Sequence, residues 1–245
     1  MIAQESICFS IVSHGQGELV AALLADLLRL NVINPSHDEI VLTFNIPEDE
    51  SFLNAFSSLP IRVLRNHQPK GFGANHNAAF KISCARIFAI VNPDVRLVDF
   101  ETAPMLGILA NRKVGLWAPR VISSDGKLED SVRRFPTLLR FLRRVLLRQR
   151  NADYFAQSHP LVVDWVAGMF MALRRDTYSA IGGFDERYFM YLEDADLCKR
   201  LGKNNLQVVF DPRIYVVHDA QRASRRNWQH MRWHCRSAIR FLFEI

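Results

Sequence analysis

ICFSIVS (residues 7–13), HGQG (14–17) and ELVAALLADLLRL (18–30) together decide the fold class. A short apolar run rich in strand formers ends in a polar, glycine-containing turn. A stretch with helical spacing of apolar residues follows. The same alternation continues downstream. EIVLTF (39–44), IRVL (61–64), IFAIVN (87–92) and VGLWA (114–118) read as strands. Phe72 to Ala85 reads as a helix after a Gly-rich turn, and Pro104 suits the first turn of another. Strand–helix alternation of this kind predicts an α/β fold with a mostly parallel sheet covered by helices. Ligands of such sheets bind beyond the C-terminal strand ends. That rule points to Ser13-His14, Asn45 and Asn92-Pro93-Asp94.

The second half is less regular. Ser124-Asp125-Gly126 reads as a tight turn, and VVDWVAGMFMAL (162–173) as a strand-like run interrupted at Gly168. A short helix headed by Asp176 ends at Gly182-Gly183, and Glu193 to Gly202 is helical. QVVF and IYVVH read as two strands, and Arg225 to Phe243 as a last helix. With no repeat and no linker, residues 1–245 read as one domain, with a nucleotide-binding half (1–122) and an acceptor-binding half (123–245).

The chain has 245 residues, 49% hydrophobic and 23% charged, which excludes a disordered or collagen-like polymer. No apolar run reaches the ~18 residues of a membrane span, and the N-terminus lacks the basic region of a signal peptide. Cys8, Cys84, Cys198 and Cys235 form no CxxC pair, so they read as buried thiols of a reducing compartment. The net charge is 31 − 25 = +6 and unevenly placed: 10 − 11 = −1 over residues 1–122 and 21 − 14 = +7 over 123–245. An arginine excess favours phosphate-bearing partners.

Five constellations could carry chemistry. Asp94, delivered by an apolar strand and fixed by Pro93, could bind Mg²⁺ or Mn²⁺, or could cap a helix. Gly71-Phe72-Gly73-Ala74-Asn75-His76-Asn77 lets backbone approach a ligand, or is a turn that starts a helix. In the stretch from Gly182 to Asp196, Glu193, Asp194 and Asp196 crowd together among aromatics. Mutual repulsion raises carboxyl pKa values and suits a general base; acids also favour a helix N-terminus. His218, at a strand end, could ligate a metal or be structural. Residues 137–150 read as a basic amphipathic helix, with Arg140, Arg143, Arg144 and Arg148 on one face, and predict contact with anionic lipid or packing on the domain. Seven arginines and no acid lie between Arg133 and Arg150. Trp228, Met231, Cys235, Ile239 and Leu242 form a stripe in the last helix, core or a second membrane-facing edge.

IVSHG, GFGANHN, VNPDV, SVRRFP, VDWVAGMFMALRR, GGFDERYFMYLEDADLCKRL and RWHCRSAIRFL occur in an order that resembles the family 2 glycosyltransferases of the GT-A fold. The likeness is greatest to the bacterial rhamnosyltransferases of O-antigen and cell-wall assembly. The resemblance implies a donor site of Ser13, His14, Asn45, Gly73, Asn77, Asn92 and Asp94, with Arg225 or Arg226 steadying the leaving diphosphate. Asn92 stands where many relatives have the first Asp of a DxD motif. Asp94 and His218 would hold the metal. Trp165, Ala167, Gly168, Met169 and Tyr191 would shape the acceptor pocket. Asp194 would be the catalytic base, with Glu193 beside it. The implied reaction is inverting transfer of a sugar, expected to be L-rhamnose from dTDP-L-rhamnose, to a polyprenyl-diphosphate-linked GlcNAc on the cytoplasmic face of the plasma membrane. Another UDP-, GDP- or dTDP-hexose is the alternative. A nucleotidyltransferase lacks support because no Gly- and Arg/Lys-rich triphosphate loop follows the first strand. Nucleic acid is disfavoured because the arginines alternate with leucines rather than with stacking aromatics.

Overall fold

The computed structural model describes residues 5–135, 154, 158–218 and 228–243. The expected basic helix (137–150), with Arg140, Arg143, Arg144 and Arg148, and the pair Arg225 and Arg226 lie outside these residues.

A nine-stranded sheet is the centre of the molecule. Its strands are β1 (Ile7–Ser13), β2 (Glu39–Phe44), β3 (Ile61–Arg65), β4 (Ile87–Val91), β5 (Val95–Leu97), β6 (Val114–Ile122), β8 (Leu161–Val163), β10 (Phe170–Arg174) and β11 (Gln207–His218). The spatial order is β3-β2-β1-β4-β10-β6-β11-β5, with β8 against β11. β1, β2, β3, β4, β6 and β11 share one direction, while β5, β8 and β10 oppose it. The sheet is therefore mostly parallel, as expected, with an antiparallel strand at its heart. β7 (Val132–Arg133) and β9 (Trp165–Val166) pair separately.

Both faces are buried, which is why the central strands are apolar throughout. One face packs on α1 (Gly17–Arg29) and α3 (Thr102–Leu109), through Phe9, Ile11, Leu23, Leu24, Met105 and Trp117. The other packs on α2 (Phe72–Ile82), α4 (Arg175–Ala180), α5 (Glu193–Lys203) and α6 (Trp228–Phe243), through Phe88, Tyr178, Phe184, Leu197 and Phe241. Gly115 permits the approach of α5: a Cβ there would lie 2.7 Å from Leu201 Cδ2.

Three sequence expectations change. The run 162–173 breaks into β8, β9 and β10, because the chain crosses from one strand position to another around Gly168. QVVF and IYVVH are one strand with a register shift between Asp211 and Tyr215. Buried Asp211 holds that irregularity together by accepting hydrogen bonds from Arg213 and from Trp117 Nε1. Cys8 and Cys198 are buried as expected, but Cys84 and Cys235 are exposed.

Candidate functional site

The C-terminal ends of β1 and β2 meet at a polar cluster. Ser13 is buried, and its hydroxyl donates to Glu48 Oε2 at 2.8 Å, while the Gly15 amide donates to Glu48 Oε1 at 3.0 Å. Sequence reasoning missed Glu48. It lies in an acidic run with Asp49 and Glu50, and only the fold shows which carboxylate reaches back to β1. His14 is exposed, with Nδ1 3.2 Å from Asn45 Nδ2. Asn45 is occupied by its own chain: Oδ1 accepts from Asn66 Nδ2 and the Lys70 amide, and Nδ2 donates to the Lys70 carbonyl. Its direct role is to pin the loop before α2 to the end of β2.

The glycine motif serves packing of chain on chain. A Cβ at Gly73 would lie 2.5 Å from Phe184 Cβ, and one at Gly71 would lie 2.5 Å from the Phe189 carbonyl oxygen. Asn77 is saturated. Its Oδ1 accepts from Tyr178 Oη at 2.7 Å and the Phe184 amide at 3.0 Å; its Nδ2 donates to the Phe184 carbonyl at 2.9 Å and Glu186 Oε1 at 3.0 Å. Two donors and two acceptor sites exhaust a carboxamide. Gly73 and Asn77 thus fasten the 178–186 segment to α2, and leave no polar capacity at Asn77 for a nucleotide.

Asp94 follows β4 and immediately precedes β5. Strand β5 is placed by buried Asp26 of α1, which accepts from Arg96 and from the Leu97 amide. Burial works against the Asp26 carboxylate, but these bonds and the one from Arg29 hold it below the usual range. Pairing of Val95 with His218 across β5 and β11 then sets Asp94 Oδ2 3.1 Å from His218 Nε2. Asp94 Oδ1 and His218 Nδ1 are buried without a hydrogen-bond partner. Burial opposes the charged form of His218, yet the hydrogen bond and charge of Asp94, with the charge of Glu129, raise it. Among the described residues no group of three or more His, Cys, Asp and Glu side chains stands ready for a metal. The two expected ligands are brought together as a pair.

The third cluster is the N-terminus of α5. Asp194 is half-buried; its Oδ2 accepts from the Gly168 amide at 3.0 Å and its Oδ1 from the Ala195 amide at 2.7 Å. Burial raises its carboxyl above the usual range, against those two backbone bonds and the charge of Arg133. Glu193 is buried with Oε2 unpartnered, and burial and the neighbouring Asp194 charge push it well up. Tyr191 and Leu192, just before them, both have left-handed backbone, φ +74° and +64°. Such conformations cost side-chain-bearing residues of order 1 kcal/mol each and concentrate at functional sites.

The clusters are connected through the break before β10. The Met169 carbonyl accepts the Asn92 amide at 2.9 Å, and Gly168 holds Asp194. The expected acceptor residues divide. Gly168, Met169 and Tyr191 lie at this junction or beside it. Trp165 is buried, with Nε1 on the Arg134 carbonyl and Arg133 stacked over its ring, so it is core. The aromatics around the acids divide too: Phe184 and Tyr188 are buried, Tyr191 half-buried and Phe189 exposed.

No family model matches the chain. It is similar to "Rhamnosyltransferase WbbL" of Escherichia coli (strain K12), 27% identical over 95% of this chain and 90% of the relative. It is also similar to "N-acetylglucosaminyl-diphospho-decaprenol L-rhamnosyltransferase" of Mycobacterium tuberculosis (strain ATCC 25618 / H37Rv), 31% identical over 62% of this chain and 53% of the relative. The chain spans only about half the length of that second protein. Its fold is similar to the mannosyltransferase PcManGT from Pyrobaculum calidifontis, solved with GDP-Man and Mn²⁺. The TM-score is 0.67 at 17% identity, over 98% of this chain and 65% of that one.

Proposed function

We propose, from its GT-A-like fold and its likeness to bacterial rhamnosyltransferases, that the chain is a family 2 glycosyltransferase that transfers L-rhamnose from dTDP-L-rhamnose to a lipid-diphosphate-linked GlcNAc. The observation that carries the reading is the Asp194 carboxylate, half-buried, raised in pKa and fixed by Gly168 beside the loop that bears Asp94. The acceptor class rests on the mycobacterial relative's name, and action on the cytoplasmic membrane face is part of the same proposal. No helix among the described residues is long and apolar enough to cross a membrane.

In this reading Asp194 is the base. Two backbone amides fix its carboxylate, and burial raises its proton affinity toward that needed to receive a proton from a sugar hydroxyl. As the proton moves to Asp194, the acceptor oxygen bonds to the anomeric carbon, and the bond from that carbon to the diphosphate breaks with inversion. Glu193 enters as a buried neighbour whose carboxyl burial and the Asp194 charge push well above the usual range. Ser13 and Glu48 frame the nucleoside end, with Glu48 oriented by the Ser13 hydroxyl and Gly15 amide. Arg225 and Arg226 remain candidates for the diphosphate.

The residues present fit a divalent cation. Asp94 Oδ1 is a hard donor left buried and unpartnered, and His218 stands beside it. Mg²⁺ or Mn²⁺ takes few protein ligands when phosphate and water complete its shell. Asp94 and His218 would hold such an ion, which would neutralise charge on the departing diphosphate. Asn92 donates its backbone to Met169 and adds no carboxylate.

The deciding experiment is a donor screen by thermal shift and product mass, with dTDP-, UDP- and GDP-sugars and a short-chain diphosphate-linked GlcNAc. Rhamnosyl product from the dTDP donor alone is expected. Product from another nucleotide sugar would replace the donor, and none from any would overturn the reading.

A further inference from the structure

Helix α6 carries a surface that the transfer reaction does not use. Its exposed apolar residues are Trp228 (75% exposed), Met231 (50%), Ile239 (51%) and Phe243 (64%), with exposed Cys235 between them. They recur at three- and four-residue intervals, which puts them on one face of a helix. The sequence stripe ending at Leu242 therefore points outward along most of its length, and is no part of the core. Sixteen residues span about 24 Å. Arg236 borders the stripe and Arg232 lies within its arc; both are exposed, and the helix contains no acid.

We propose that this face of α6 docks in the plane of an anionic lipid bilayer, with the apolar stripe in the headgroup–acyl boundary and Arg232 and Arg236 among the headgroups. The chemistry is that of an interfacial helix: an apolar face ending in Trp and Phe, accompanied by cations whose stems can lie along the apolar layer while their heads reach the headgroups. A second copy of this chain suits the face poorly. A self-complementary contact would set arginines of one helix close to those of the other, with no acid on either to answer them.

The opposite face of α6 gives the docking a consequence for the site. Ser237 Oγ donates to the Met190 carbonyl at 2.9 Å, and Tyr191 Oη lies 2.7 Å from His230 Nδ1. Tyr191 also stacks on His234, and Phe189 packs on Trp233 with ring centroids 4.7 Å apart. The helix that would meet the bilayer is therefore the backing of the segment that leads into Glu193 and Asp194. Phe135, just before the expected basic helix (137–150), packs against Phe241 of the same helix α6. A lipid-borne acceptor would arrive at the plane that α6 defines; in this respect the inference rests on the proposed acceptor class.

The test is co-sedimentation of the whole chain with phosphatidylcholine vesicles, with and without phosphatidylglycerol. Met231→Glu/Ile239→Glu and Arg232→Gln/Arg236→Gln are compared with the native sequence, and transfer to a water-soluble acceptor analogue is measured beside each. Binding to the phosphatidylglycerol vesicles is expected, weakened at least about tenfold by either double substitution and by salt. Transfer to the soluble analogue and the melting temperature should be unchanged, since all four side chains are exposed. No vesicle binding by the native chain, or binding equal in all three, overturns the proposal. So does a concentration-dependent dimer that Met231→Glu/Ile239→Glu dissolves while vesicles stay unbound. Vesicle binding as expected with no transfer to any acceptor would instead refute the proposed function and leave the docking surface standing.

Discussion

The Gly168 amide donates to the Asp194 carboxylate at 3.0 Å, and the next residue, Met169, accepts the Asn92 amide through its carbonyl at 2.9 Å. One dipeptide thus ties the candidate base to the strand end that carries Asp94. A Cβ at Gly168 would lie 3.1 Å from Phe72 Cζ and 3.9 Å from Asp194 Cβ, so the position is tight on both sides.

Asp194→Asn keeps the Gly168 contact through its carbonyl but removes the proton acceptor. Transfer should fall by about 10²- to 10⁴-fold, the range for loss of a general base. The donor-induced thermal shift should be retained. Turnover close to that of the native chain would show that another group takes the proton.

Gly73→Ala and Asn77→Ala should act on stability before chemistry. The alanine at position 73 meets the Phe184 Cβ directly, an overpacking that costs about 1–3 kcal/mol. At position 77 the Tyr178 hydroxyl and the Phe184 amide would be left buried and unpaired, at roughly 1–3 kcal/mol each. Urea unfolding measures both. If activity falls while unfolding midpoints stay unchanged, these residues touch the nucleotide after all.

His76 is fully buried, with Nδ1 2.8 Å from Ser10 Oγ, and burial pushes its pKa down to about 3. In the unfolded chain it titrates near the ordinary ~6.5. The unfolded state therefore binds the extra proton between these values. The stability linked to His76 is complete above about pH 6.5 and is lost as pH falls toward 3, at about 1.4 kcal/mol per unit. His76→Gln should flatten this acid limb relative to the native chain in unfolding curves at pH 7 and pH 5. Parallel losses in both proteins would show that other groups set it.

Asp94→Asn and His218→Ala should each weaken Mn²⁺ binding in the presence of a nucleoside diphosphate, read by calorimetry or by the Mn²⁺ resonance signal. A chelator should lower transfer by the native chain. Undiminished Mn²⁺ binding by both variants would assign the pair a purely structural role.

The sheet strands and most helices were legible in the sequence because their apolar periods are strong and their turns are punctuated by Gly, Pro and Asn. Asp94 and His218 were legible as a pair only through the family resemblance; residue type alone left both with ordinary structural readings. The contact of Ser13 with Glu48 was not legible, since three acids in one loop look alike until the loop folds back. The packing role of Gly73 and Asn77 was not legible, for a physical reason. Close approach of chain to chain demands the same small residues and the same amide as close approach of chain to ligand. His230 gave no signal either, because its role depends on Tyr191 from a different element.

Strand β10 occupies the gap between β4 and β6, and among the described residues β6 has no other strand neighbour except β11. A fragment stopping at Ile122 would leave the Val91 strand with an open edge and strand the Trp117 segment without hydrogen-bonding company on either flank. The two halves of the sequence, 1–122 and 123–245, are therefore interwoven in one sheet rather than joined end to end. If the C-terminal half selects the acceptor as proposed, new preferences on this scaffold must arise by substitution and loop exchange, not by swapping a self-contained C-terminal cassette.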